Sequence, residues 1–407
     1  MALTVLARAL SFFSVLLFAR AMSPADFGVY GFLQASANLT VVFTTFNLPT
    51  PISVILARGG GHRLRLENTI LTAVLLGSMM LGALTSLLGF FFAFPSISIG
   101  LNGVMWFLVF TSMSSLQLLS GAALVARGER LRSAVGILAG SVALCITLAL
   151  VQSLSLAQAL RLGALSVAFG GIISGAMLLS GGLHKDFRHV GSSLVSFLKR
   201  SGKTIFLFSV LSFCTSLAFQ SGLWLLQRQL LAHGGAVEGA VFALGNQFYN
   251  VVLFLPGIFA PLLLRRLSIV RVEREQIGEL LRAGGAAICV AALGTVIFAE
   301  VGPFILLMLP EKYRVGPEPL TLAVAAGAIM LAKAPFSVFF QARVSASAEF
   351  FASLAATAIL VLGAFVPAVV MDAVGSLWLR VFAHFVLFAV VFGVFVARWR
   401  FSSTKLS

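Results

Sequence analysis

The apolar residues of this chain are gathered in long blocks, and the polar residues fall mainly in the short segments between them. A bilayer core takes about 20 apolar residues per helix. Runs of that length lie near 2–20, 28–57, 68–94, 101–125, 133–152, 155–182, 204–228, 237–264, 279–303, 317–342, 350–371 and 374–397. The pattern therefore predicts twelve membrane-spanning helices. The 28–57, 237–264 and 279–303 runs are long enough that tilt, kinks or turns outside the membrane are expected in them.

The connecting segments carry a second pattern. With the N-terminus inside, the inner connections hold Arg58, Arg63, Arg65, Arg127, Arg130, Arg132, Lys185, Arg188, Lys199, Arg200, Lys203, Arg265, Arg266, Arg271, Arg274, Arg282 and Arg343, and the tail adds Arg398, Arg400 and Lys405. The outer connections hold only Arg20, Arg228, Lys312 and Arg314. Twenty against four follows the positive-inside rule and predicts both termini on the cytoplasmic side.

Composition agrees with a lipid environment. Hydrophobic residues make up 59% of the chain and charged residues 10%, and the mean hydropathy is +1.05. Soluble domains carry about 25% charged residues. The net charge of +15 lies in the connections, so it reads as membrane topology and not as a nucleic-acid surface. Cys145, Cys214 and Cys289 all sit inside apolar runs, with neither a disulfide frame nor a zinc spacing, and read as packing residues.

The opening "MALTVLARALSFFSVLLFARA" also has the shape of a secretory signal, with an early arginine, an apolar centre and a small-x-small end. An internal repeat favours a retained first span. Shifting the chain by 208 residues pairs Arg20 with Arg228, Gly31 with Gly239, Ala35 with Ala243, Asn38 with Asn246, Phe46 with Phe254 and Arg58 with Arg266. Pro49 and Pro51 fall at a similar depth to Pro256 and Pro261. Transporters are often built from two such halves, with kinked helices between them. The expected organisation is a first bundle over 1–183, a basic cytoplasmic linker over 184–203 that lies along the inner surface as an amphipathic helix, and a second bundle over 204–407. Six spans per half make the halves parallel.

Within "LLFARAMSPADFGVYGFLQASANL", Ser23 or Asp26 can cap a helix, Pro24 suits a first turn, and Gly28 lets the chain bend. The stretch also resembles the first hairpin of the polysaccharide and O-antigen flippases. "GPFILLMLPEKYRVGPEPL" resembles a segment of the same family. The resemblance places the chain in the multidrug/oligosaccharidyl-lipid/polysaccharide exporter superfamily. It implies an all-α integral membrane fold, with about twelve helices in two parallel pseudo-symmetric bundles around a central cavity. It further implies a cargo of undecaprenyl-pyrophosphate-linked oligosaccharide, moved across the bacterial inner membrane for surface polysaccharide synthesis. The implied partners are that lipid-linked oligosaccharide and membrane lipid, with a polysaccharide polymerase and co-polymerase as candidate protein partners, no cofactor or metal, and a monomeric transport unit.

Charges inside spans are costly in hydrocarbon unless they face a cavity or a partner. Arg8, Arg161, Lys333 and Arg380 lie inside spans, and His384 follows Arg380 by four residues, on the same helix face. No carboxylate lies at comparable depth: Glu300 is near a span's outer end, and Glu238 and Glu349 are at span edges. An all-positive set would draw an anionic head group into a cavity. Snorkelling to the interfaces is the alternative for Arg8, Arg161 and Arg380, and it suits Lys333 least. Two polar stripes add Gln34 with Asn38 and Asn246 with Asn250, which could bind sugar hydroxyls or bond between helices. Gly136 with Gly140 and Gly171 with Gly175 have the spacing of close helix contacts.

Enzyme signals fail. "SGKT" at 201–204 ends like a phosphate-binding loop, but Phe197 stands where the first glycine is needed, and no H-E-x-x-H occurs. The rival function is multidrug antiport on the same fold. Acidic residues in the first or seventh span would mark it, and those spans contain none. A third reading is a non-transporting member of a polysaccharide assembly.

Overall fold

A computed structural model describes residues 2–48, 82, 84, 100–126, 128–180, 190–269, 273–308, 311–313, 316–343 and 345–403. Expectations for the 68–94 run, for Pro49 and Pro51 and for Arg58, Arg63 and Arg65 fall outside the described residues. The chain forms α1 (Ala2–Ala21), α2 (Pro24–Thr45), α3 (Gly100–Ala126), α4 (Arg130–Ala149), α5 (Leu156–Ser180) and α6 (Val190–His233). It continues with α7 (Gly235–Val252), α8 (Phe254–Ile269), α9 (Glu273–Met308), α10 (Glu318–Ala342), α11 (Ser347–Ala364) and α12 (Ala373–Ser403). A single helical turn, Pro367–Val370, precedes α12, and the described residues contain no strand. Nine stretches among them are long and apolar enough to cross a membrane. They coincide with the nine predicted runs from 101 onward, and the chain is a multi-pass membrane protein.

The α2 N-terminus forms as the sequence predicts. Ser23 is the N-cap and its Oγ accepts the Asp26 N–H at 3.1 Å, while Pro24 takes the first position, where no N–H is needed. The other end shows the kind of turn that the length of the 28–57 run led us to expect: α2 stops at Thr45, with Phe46 (φ 47°) and Asn47 (φ 50°) both left-handed. Asn47 Nδ2 donates to the Ser212 carbonyl at 3.1 Å, and Phe46 packs on Phe213 at 4.7 Å, which holds that turn. The 237–264 run carries only a slight irregularity at Leu253, between α7 and α8, where the backbone stays right-handed (φ −68°) and the Leu253 and Gly257 N–H groups still bond four residues back, to Tyr249 and Leu253.

The chain separates into two compact units. One is Met1–Asp26 with Leu33–Phe213, and the other is Phe27–Phe32 with Cys214–Ser407. Residues 190–203, expected to lie along the membrane surface, run without a break into the rest of α6. At 1.5 Å per residue its 44 residues rise about 66 Å, roughly twice a bilayer core. Its apolar part is Leu207–His233.

In the first unit, α4 and α5 pack through small residues. A Cβ on Gly136 would collide with Ser174 and the Gly170 carbonyl, and one on Gly140 with the Ser166 carbonyl. Ser166 Oγ donates to the Gly140 carbonyl at 2.9 Å, and Ser11 and Ser141 join α1 to α4 at 2.7 Å. Such hydrogen bonds suit helices that gain nothing from hydrophobic contrast with lipid.

The hub of the second unit is α10. Of its apolar stretch 72% is buried, against at most 33% in the other spans. It packs on α7, α8, α9 and α12. Phe336 of α10 meets Phe388, Phe392 and Phe395 of α12. The α12 N-terminus has two carboxylates on its free N–H groups, Glu238 on Ala373 at 2.8 Å and Asp372 on Gly375 at 2.6 Å. Gly28 of this unit touches the α7 backbone directly, because a Cβ there would meet the Ala236 carbonyl oxygen and the Ala240 nitrogen. Gly31 sits as closely on Ala243.

Candidate functional site: a buried arginine in the second unit

Three of the predicted site residues come together between α7 and α12. Arg380 is 2% exposed and His384 is fully buried. The Arg380 Nη1 donates to Asn246 Oδ1. Its guanidinium lies over the Tyr249 ring, 3.8 Å from the centroid, with Phe242 at 5.9 Å. Cation–π contact of a desolvated pair stabilises by about 2 kcal/mol. The Nε of Arg380 is buried without a hydrogen-bond partner, and no carboxylate forms an ion pair with Arg380 among the described residues.

The imidazole is fixed from two sides. His384 Nδ1 is 2.7 Å from the Arg380 carbonyl, and Nε2 is 3.1 Å from the Tyr249 hydroxyl. A carbonyl can only accept, so Nδ1 carries the proton. In the neutral ring Nε2 then accepts from the Tyr249 hydroxyl. Phe219 of α6 closes the ring's edge at 5.1 Å. Tyr249 escaped the sequence reading; its spacing of three from Asn246, on one helix face, is the signal that would have found it.

Lys333 is placed differently from expectation. Its Nζ lies 3.7 Å from Glu349 Oε1, with side-chain exposures of 12% and 14%. The reading that the deep cations lack an acid is corrected here: Glu349 sits in the first turn of α11, at the span edge as expected, and its side chain reaches Lys333.

The remaining candidates are not drawn into this cluster. Asn250, one turn along α7 from the half-buried Asn246, is exposed. Gln34 is half-buried and Asn38 exposed on α2. Arg8 is exposed on α1, and Arg161 is exposed on α5 with its guanidinium 5.4 Å from the Trp106 ring. That placement fits an arginine anchored at an interface. A buried amide that the sequence reading passed over, Gln227 of α6, is 1% exposed, and its Nε2 has no hydrogen-bond partner among the described residues.

No family model and no curated protein matches the chain. Solved structures do. An inward-facing multidrug resistance MATE family transporter of the MOP superfamily superposes with a TM-score of 0.69 at 15% identity, over 100% of this chain and 95% of that one. An outward-facing structure of such a transporter gives 0.67 at 14% identity, over 100% and 96%. A MOP superfamily transporter from Pyrococcus furiosus, described by a reversed polarity of its binding pocket that suggests a different function, gives 0.66 at 14%, over 99% and 95%. The chain therefore has the fold of the MOP superfamily membrane transporters, with two bundles, as its sequence predicts.

Proposed function

We propose that this protein is a flippase that moves undecaprenyl-pyrophosphate-linked oligosaccharide across the bacterial inner membrane, with both termini cytoplasmic. One observation carries the reading: Arg380, buried in a membrane helix, has a guanidinium with no acid to neutralise it among the described residues. An uncompensated cation in a low dielectric is costly and is retained where an anion visits. The half-buried Asn246 and exposed Asn250 offer the approach to it, and a pyrophosphate oxygen would replace the Asn246 amide on the guanidinium. Sugar hydroxyls suit the two asparagines. The protein is not expected to act as an enzyme. The Pyrococcus furiosus transporter supports the reading, since a protein of this fold is described with a pocket of reversed polarity.

The second reading is multidrug antiport. The multidrug transporters of this fold favour it, and so does Glu349, an acid inside the helical bundle that could exchange protons. Deleting the gene separates the two. The flippase reading expects undecaprenyl-pyrophosphate-linked repeat units to accumulate and surface polymer to be lost, and Arg380→Gln to reproduce the deletion while the protein remains in the membrane. Unchanged lipid-linked sugar with heightened sensitivity to cationic drugs overturns it in favour of antiport.

A further inference from the structure

We infer that Tyr249 and His384 form a positioning pair that holds the Arg380 guanidinium in place to receive a phosphate oxygen, an inference that rests on the flippase reading of the same site. The chain of contacts is closed. His384 Nδ1 is held by the carbonyl of Arg380, its own helix neighbour, at 2.7 Å. Its Nε2 fixes the Tyr249 hydroxyl at 3.1 Å, which sets the rotation of the phenol ring. That ring is the platform on which the guanidinium lies at 3.8 Å. Tyr249 and His384 also meet edge to face at 5.4 Å, and Phe219 packs at a right angle on the imidazole at 5.1 Å.

The arrangement leaves Arg380 one task. Stacking occupies a face of the guanidinium and Asn246 one edge, while Nε, in the planar fork that suits phosphate oxygens, has no partner among the described residues. His384 is fully buried and both ring nitrogens are occupied, so it acts through Tyr249 and not by touching cargo. This assigns His384 a role other than membership of a cationic cavity wall. The ligand chemistry is a phosphate ester or pyrophosphate, either on a prenyl lipid or free in solution.

The test uses the full-length protein in lipid nanodiscs, with farnesyl pyrophosphate and inorganic pyrophosphate as separate probes. Tyr249→Phe keeps the ring and removes the hydroxyl. His384→Asn keeps a donor near Nδ1 and removes the acceptor at Nε2, whereas His384→Gln restores an acceptor near Nε2. One hydrogen bond of about 1 kcal/mol corresponds to roughly fivefold in affinity. Tyr249→Phe and His384→Asn should each weaken farnesyl pyrophosphate binding about that much, the double variant no further, and His384→Gln should bind nearly as wild type. Multiplying effects in the double variant, or wild-type affinity in Tyr249→Phe, overturns the inference. If Arg380→Gln loses binding while the other variants keep it, positioning fails and the flippase reading stands. If Arg380→Gln binds as wild type, or wild type binds neither probe, both fall. Binding of farnesyl pyrophosphate alone supports a lipid head group. Equal binding of inorganic pyrophosphate supports the anion site and overturns its assignment to a lipid.

Discussion

Lys333→Met removes one charge of the Lys333–Glu349 pair and leaves a carboxylate alone among packed helices. At 3.7 Å and an effective dielectric of about 20, the attraction between unit charges is about 4.5 kcal/mol. Desolvation of both groups offsets part of it, so the net coupling expected is on the order of 2 kcal/mol. Neither side chain is more than 14% exposed, so solvent screening does not remove the effect. Three variants measure it: Lys333→Met, Glu349→Gln and the double substitution, each followed by thermal unfolding in detergent and by the accumulation of lipid-linked intermediate in cells. Lys333→Met should lower stability markedly, and adding Glu349→Gln should recover most of the loss, because an uncharged amide is cheaper to bury than an unpaired carboxylate. If the double variant is also restored in export, Lys333 is a structural ion-pair partner and Arg380 remains the cation that meets cargo. Equal stability in Lys333→Met and the double variant would refute the pairing argument. Lost export with wild-type stability would return Lys333 to the cargo site.

Two further substitutions test packing and capping. Gly28→Val places side-chain atoms against the Ala236 carbonyl and the Ala240 nitrogen, both backbone, so relief requires the helices to part; a loss above the 1–3 kcal/mol typical of overpacking is expected, read as a lowered unfolding midpoint. Ser23→Ala removes the acceptor for the Asp26 N–H and should cost about 1 kcal/mol, with Ser23→Asp close to wild type; equal unfolding midpoints for Ser23→Ala and wild type would contradict the cap.

The sequence carried the span layout because lipid imposes a length and a composition on each helix, and the nine described crossings lie where the apolar runs do. The Ser23 cap and the close approach at Gly136 and Gly140 were legible for the same reason: local chemistry leaves few alternatives at a helix start or a tight crossing. A turn somewhere in the 28–57 run was legible from its length, but its place at Phe46 was not, since the residue lies inside a continuous apolar run and the turn is held from a distant residue, Ser212. At the site, the four-residue spacing of Arg380 and His384 was readable, but the partner that fixes them was not. Tyr249 enters through helix packing, and an isolated tyrosine in an apolar run carries no sign of whether its hydroxyl is bonded. The pairing of Glu349 was missed for a related reason: a position at the edge of an apolar run does not show which neighbouring side chain it reaches, and here that is Lys333.

The repeat shows where the halves part company. The 208-residue shift that aligns Asn246 with Asn38 also aligns Phe242 with Gln34, Tyr249 with Val41 and Asn250 with Val42. The amide is thus common to both halves, but the aromatic platform beside it is present only in the second. An arginine stacked at 3.8 Å needs that platform, because removing a guanidinium from water without a carboxylate leaves cation–π contact and amide hydrogen bonds as its main compensation. Valine at the equivalent position offers neither a π face nor a hydroxyl. In the first half the two deep arginines are held otherwise, Arg161 being exposed beside Trp106 and Arg8 exposed on α1. At the two positions where α7 carries Phe242 and Tyr249, α2 carries Gln34 and Val41, and of the two helices it is α7 that offers the surface on which a buried guanidinium can lie.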